Sequence, residues 1–267
     1  MPLHRLIFAA SLIVSQVAFA QDNAAPKKYK APTAADWTAL GKLPDFTGVW
    51  EIPLGGARAA AGRGGAPGRA GRGAMPAQPQ LTPEYAAKAK ETTAARAEDN
   101  QSANCLPPGL PAIMGQPYPV ELLMTPGQLT IVIEAYTQVR HIYTDGRKFE
   151  DPDPSFNGSS TGHWEGDTLV VESVGFEQVP RGINFPYSEK MKITERFRLS
   201  DPETLNIETT ITDPLALTQP YPLGNRVFKR HRSWTVAEYV CEENNRNFVD
   251  ASGKAGINLA NPTASPK

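Results

Sequence analysis

Between residues 128 and 241 apolar side chains recur at every second position in short runs, and polar turns separate the runs. The clearest unit is Gly162-His163-Trp164-Glu165-Gly166-Asp167-Thr168-Leu169-Val170-Val171-Glu172-Ser173. It reads as a hairpin turning at Glu165-Gly166-Asp167, with β-branched and aromatic residues in both arms. Further strands are expected over 128–136 and 138–144, with a hairpin signal at Asp145-Gly146, and over 190–199 and 204–212 around Ser200-Asp201-Pro202-Glu203. Two more, 225–233 and 235–241, are expected to close the sheet. Upstream, Asp45-Phe46-Thr47-Gly48-Val49-Trp50-Glu51 reads as a first short strand whose aromatic rings plug one end. The expected fold is therefore mainly β, an antiparallel meander closed into a lipocalin-like barrel, with a β-sandwich as the alternative.

One helix belongs beside this sheet. Thr82 is a good N-cap, Pro83 fits the first helical position, and Glu84 suits the positive end of the dipole, which predicts a helix over 82–99. Residues 105–126 are interrupted by Pro107, Pro108, Pro111, Pro117, Pro119 and Pro126, and read as an irregular cover, a lid over one barrel mouth.

The termini change the setting. Residues 1–20 have a short polar head at His4-Arg5, an apolar stretch and a small-residue site at Ala18-Phe19-Ala20, which is the form of a signal peptide. Periplasmic or secreted localisation is expected, with no transmembrane segment after cleavage. Residues 21–44 read as a flexible leader, and residues 246–267 as a loose tail. The single β-rich domain, 45–245, contains a Gly/Ala/Arg/Pro insert at 55–80 with Arg58, Arg63, Arg69 and Arg72. Behind a signal peptide this insert reads as a disordered linker, and no nucleic-acid partner is expected. The net charge of −1 over 267 residues likewise favours neither nucleic acid nor an anionic membrane. Cys105 and Cys241, the only two cysteines, are expected to form a disulfide in an oxidising compartment.

Several blocks occur in order: Asp45-Phe46-Thr47-Gly48-Val49-Trp50, Arg140-His141-Ile142-Tyr143-Thr144-Asp145-Gly146-Arg147, Trp164-Glu165-Gly166-Asp167-Thr168-Leu169-Val170-Val171, Thr194-Glu195-Arg196-Phe197 and Glu238-Tyr239-Val240-Cys241-Glu242-Glu243-Asn244. Together they resemble a group of secreted bacterial proteins that share these blocks, a resemblance that implies no particular activity. This chain has Ser159 and Tyr187 where many members of that group carry histidines. Chemistry resting on those histidines would be lost or altered here.

Candidate chemistry follows from strand parity. Met191, Ile193, Glu195, Phe197 and Leu199 share one face, so Glu195 stands in an apolar row; Glu134 repeats this between Val132 and Tyr136. An inward carboxylate needs a partner or a raised pKa, so Glu195 and Glu134 are candidate general acids or bases. The competing reading is a buried Glu–Arg pair that fixes register. Arg140, His141, Tyr143, His163, Tyr187 and Arg196 are the candidate ligand-orienting side chains. Arg140 and His141 point to opposite faces, so only one of them belongs to a cavity wall, and the row of Lys192, Thr194, Arg196 and Arg198 looks solvated. His163, Glu165 and Asp167 sit at a turn where acids are simply solvated, and neither a metal nor a cofactor is assigned. The sequence has no Gly-rich phosphate loop and no Gly-x-Ser-x-Gly elbow. The expected function is a barrel that binds a small apolar or aromatic molecule. The alternatives are a cofactor-independent lyase, isomerase or hydratase on the same barrel, and a structural envelope protein.

Overall fold

The computed structural model describes residues 31–53, 78–95, 105–177, 183, 185–241, 247–249 and 255–257. The proposed signal peptide, residues 21–30 of the leader and nearly all of the Arg-Gly insert lie outside them. The barrel and its additions fall within Thr33–Lys267.

Nine strands close on themselves: β1 (Gly48–Glu51), β2 (Val120–Thr125), β3 (Gln128–Ile133), β4 (Gln138–Tyr143), β5 (Ser159–Glu165), β6 (Thr168–Val174), β7 (Lys192–Asp201), β8 (Thr204–Thr212) and β9 (Tyr221–His231). Closure is made by β1 against β9, where Trp50 faces Arg230 and the guanidinium stacks on the indole at 4.4 Å. The alternation read from the sequence is the alternation of the wall. Leu122, Leu129, Ile131, Ile142, Leu169, Val171, Ile193, Phe197, Ile207 and Phe228 are buried inward, while Glu172, Lys192, Arg196 and Arg198 alternate with them outside. Phe46 and Trp50 are fully buried, and Phe46 stacks on Trp164 at 5.4 Å, so the first short strand does bring aromatic rings to one end.

Four expectations need correction. The lid segment is not irregular throughout, because Val120–Thr125 forms β2 and pairs with β3 along its whole length; its prolines flank the strand rather than interrupt it. The meander is not wholly antiparallel. β4 and β5 run parallel and are paired only at Ile142–Ser160 and Tyr143–Thr161, so Asp145-Gly146 opens a long return loop instead of a hairpin. Residues 235–241 are not a strand, and β9 alone completes the sheet. At the ends, the leader contains α1 (Ala34–Leu40), fixed by a capping box between Thr33 and Asp36, and the tail contains a ribbon of β10 (Asn247–Val249) with β11 (Ala255–Ile257).

The expected helix is α2 (Pro83–Ala95) within the described residues. Residues 105–119 contribute Leu110, Ile113 and Met114 to the core, the last two from a single 3₁₀ turn, Ala112–Gly115. Cys105 and Cys241 form the disulfide, with Cα atoms 5.7 Å apart. No described helix is long and apolar enough to cross a membrane.

Candidate functional site

Glu195 points inward, as its parity requires, and is fully buried. Its partner is Arg140 on β4, which is 2% exposed. Arg140 Nη2 donates to Glu195 Oε2 and, at 3.0 Å, to Ser173 Oγ, while Nε donates to Ser160 Oγ at 3.2 Å. Ser160 and Ser173 are hydrogen-bonded to each other at 2.8 Å. One network thus ties β4, β5, β6 and β7 together through the interior. It bridges the weakly paired β4–β5 seam, where the backbone ladder supplies little. Separating these charges would leave one of them unpaired in a low-dielectric core.

The other candidates do not join this network. Glu134 is not in the interior: it follows the end of β3, opposite in parity to Ile131 and Ile133, and its carboxylate accepts from the Ala237 N–H at 2.9 Å. The period-two count that placed Glu134 inward followed the row of Val132, which is the outward one, because Leu129, Ile131 and Ile133 are the inward set. His141 is exposed, 3.1 Å from Gln128 Nε2, and Tyr143 shares its outer face under the Arg147 guanidinium at 3.7 Å. His163 and Arg196 are outside too, where both hold Glu165, at 3.2 and 2.9 Å. Arg196, and after it His163, keep the Glu165 carboxyl below its usual range. Tyr187 is buried and donates to the Glu177 carbonyl at 2.6 Å, a loop anchor away from Arg140. Its neighbour Ser188 donates through both N–H and Oγ to Asp213.

Sequence reasoning missed Ser160, Ser173, Thr209 and Arg226 as interior polar groups. The signal was present in the rows Leu205-Ile207-Thr209-Ile211 and Arg226-Phe228, which follow the same parity as Glu195.

Two clefts flank the core. One, of about 320 Å³, lies between α1 and the barrel mouth, with Leu40, Leu43, Met124, Leu129, Trp164 and Leu169 around it and Asp36 and Gln128 at its rim. The other, of about 420 Å³, opens on the wall where β4 and β5 part, and brings Arg140, His141 and Tyr143 together with Phe149 and Asn157. Glu195 lines neither. Among the described residues no three His, Cys, Asp or Glu side chains gather as a metal site.

No protein-family model matches this chain, and no curated protein matches it either.

Proposed function

We propose that this protein is exported and that its barrel binds a small apolar or aromatic molecule at the mouth beneath α1. One observation carries the reading. α1 borders the mouth through Asp36, Ala39 and Leu40 without burying any of its own residues, and Leu40 and Leu43 stand half-exposed over an apolar floor of Leu129, Trp164 and Leu169. A cover that leaves its leucines half-exposed over an apolar floor suits an apolar occupant, and Asp36, Gln128 and Thr144 at the edge offer polar groups to orient it.

Export is supported by the N-terminal pattern and the disulfide, since such bonds persist in oxidising compartments. The barrel's polarity, apolar within and charged without, is the reverse of a lipid-spanning barrel. A general acid or base must touch the reacting molecule, and the mouth cleft offers neither Glu134 nor Glu195.

The neutral fluorescent probe N-phenyl-1-naphthylamine tests the reading. The full chain should bind it saturably, with quenching of tryptophan emission, because Trp164 lines the cleft. The double substitution Leu40→Ser, Leu43→Ser should weaken binding about tenfold, on the order of the transfer energy of two half-buried leucines. Undiminished binding by that variant would remove the mouth from consideration. Mass spectrometry of the exported protein should find Gln21 as its first residue.

A further inference from the structure

Three buried polar atoms inside the barrel have no hydrogen-bond partner: Arg140 Nη1, Glu195 Oε1 and Thr209 Oγ1. Glu195 and Thr209 are direct cross-strand partners on β7 and β8 and both face inward, so their side chains stand side by side in the interior. Arg140 grips the same carboxylate through Nη2, which brings Nη1 of the same guanidinium close to them from β4. A buried polar group left unpaired loses its hydrogen bonds to water without replacement. Three of them in one neighbourhood leave both a donor and acceptors open to an occupant that can accept and donate.

Arg226 adds charge to this neighbourhood. It lies opposite the inward Ile207 on β9, diagonal to Thr209, and is half-buried. Its backbone lies in the β8–β9 ladder, while its guanidinium makes no hydrogen bond with the described side chains and feels the charge of Glu195. Burial lowers its pKa and the charge of Glu195 works the other way, but a guanidinium stays protonated at any ordinary pH. Glu195 is already held by Arg140, so this part of the interior has two cations and one anion. The 3₁₀ turn supplies room beside the extra cation. A Cβ on Gly115 would stand 3.2 Å from Arg226 Nε and 3.4 Å from Nη2. Gly115 has no positive φ, so the glycine serves this close approach and not the backbone.

We propose that the interior between β4, β7, β8 and β9 is a binding site for a small hydroxycarboxylate. The carboxylate accepts from Arg226 and from Arg140 Nη1, and the hydroxyl donates to Glu195 Oε1 while meeting Thr209 Oγ1. The partial exposure of Arg226 gives the ligand its way in. None of these four residues lines the mouth cleft, so this site stands apart from the apolar one.

Isothermal titration of the full chain with L-lactate, acetate, glycerol and chloride tests the assignment. Lactate should bind saturably, acetate about tenfold more weakly, and glycerol not measurably, because it lacks the charge. Arg226→Gln should weaken lactate at least tenfold. Gly115→Ala should do the same by crowding the guanidinium. Thr209→Val, nearly isosteric, should weaken lactate and leave acetate unchanged. All three variants should bind the naphthylamine probe like the wild type, which separates failure here from failure at the mouth. Lactate binding no tighter than chloride overturns the proposal, as does a Thr209→Val or Gly115→Ala protein that folds and binds lactate like the wild type. Should Arg226→Gln fail to fold, those two variants decide alone.

Discussion

Arg140 and Glu195 illustrate how one buried pair sets the terms for its neighbours. Each is tolerated because of the other, and Ser160 and Ser173 satisfy further donors of the guanidinium. Removing one partner strands a charge in the core, so Arg140→Met or Glu195→Leu alone should lower the unfolding free energy by about 3–5 kcal/mol. The double substitution should cost less than either single one, since it removes both charges and leaves apolar side chains of similar size. Urea denaturation of the three variants measures this. If the double variant is destabilised by the sum of the two singles, the pair is not an interacting unit. Parity made Glu195 legible in the sequence, because its row lies in the middle of a ten-residue strand. The same count failed for Glu134, because it followed Val132 on the outward row of β3, and the strand ends one residue before it. Arg140 was legible only as one of two alternatives, and no local feature distinguished it from His141.

β7 and β8 were easy to anticipate because each alternates over nine residues or more between short turns, and β6 because its apolar run follows the Glu165-Gly166-Asp167 turn. β2 was hidden by the prolines around it, and α1 by its alanines, although Thr33 and Asp36 formed a capping signature. The parallel β4–β5 seam had no local signal at all, because strand direction is decided by the return loop and not by the strands. Beside Pro152 and Pro154 that loop pairs only through a single parallel bridge, Ser155–Phe176, and Gly158 brings it back to the wall with φ +63°. A Cβ there would stand 2.7 Å from Phe176 Cε1 and 2.7 Å from the Val174 carbonyl. Gly158→Ala therefore combines a left-handed backbone with a collision against β6, and should destabilise the protein by about 1–3 kcal/mol. Hydrogen exchange should show the loss first in the amides of β5, at the seam. Uniform loosening of all strands would mean that the seam is not a separate weak point.

The barrel closes through β1 and β9, but the segments on either side of the sheet are held by other means. Residues 105–119 carry Leu110, Ile113 and Met114 into the core, and residues 232–241 run back along the outside. Cys105–Cys241 joins the outer ends of these two segments across a sequence separation of 136, and so encloses every strand from β2 to β9. Thr137 Oγ1 donating to the Tyr239 carbonyl, Glu134 accepting from Ala237, and the Tyr239 ring against Tyr118 and Tyr136 hold the second segment at the surface. Constraining an unfolded loop of that length is worth about 4–5 kcal/mol in the chain-entropy model, a large share of the 5–15 kcal/mol typical of whole domains. The protein with Cys105→Ser and Cys241→Ser should keep its β-rich circular dichroism, because no strand pairing depends on the bridge. Its urea midpoint should fall by about 2 M, taking a slope of about 2–3 kcal/mol per molar. Wild type with dithiothreitol should shift by the same amount, and the double variant should not respond to the reductant. A midpoint equal to that of the oxidised protein would mean that the barrel needs no bridge and is as stable in a reducing compartment, which would take away the disulfide's support for export.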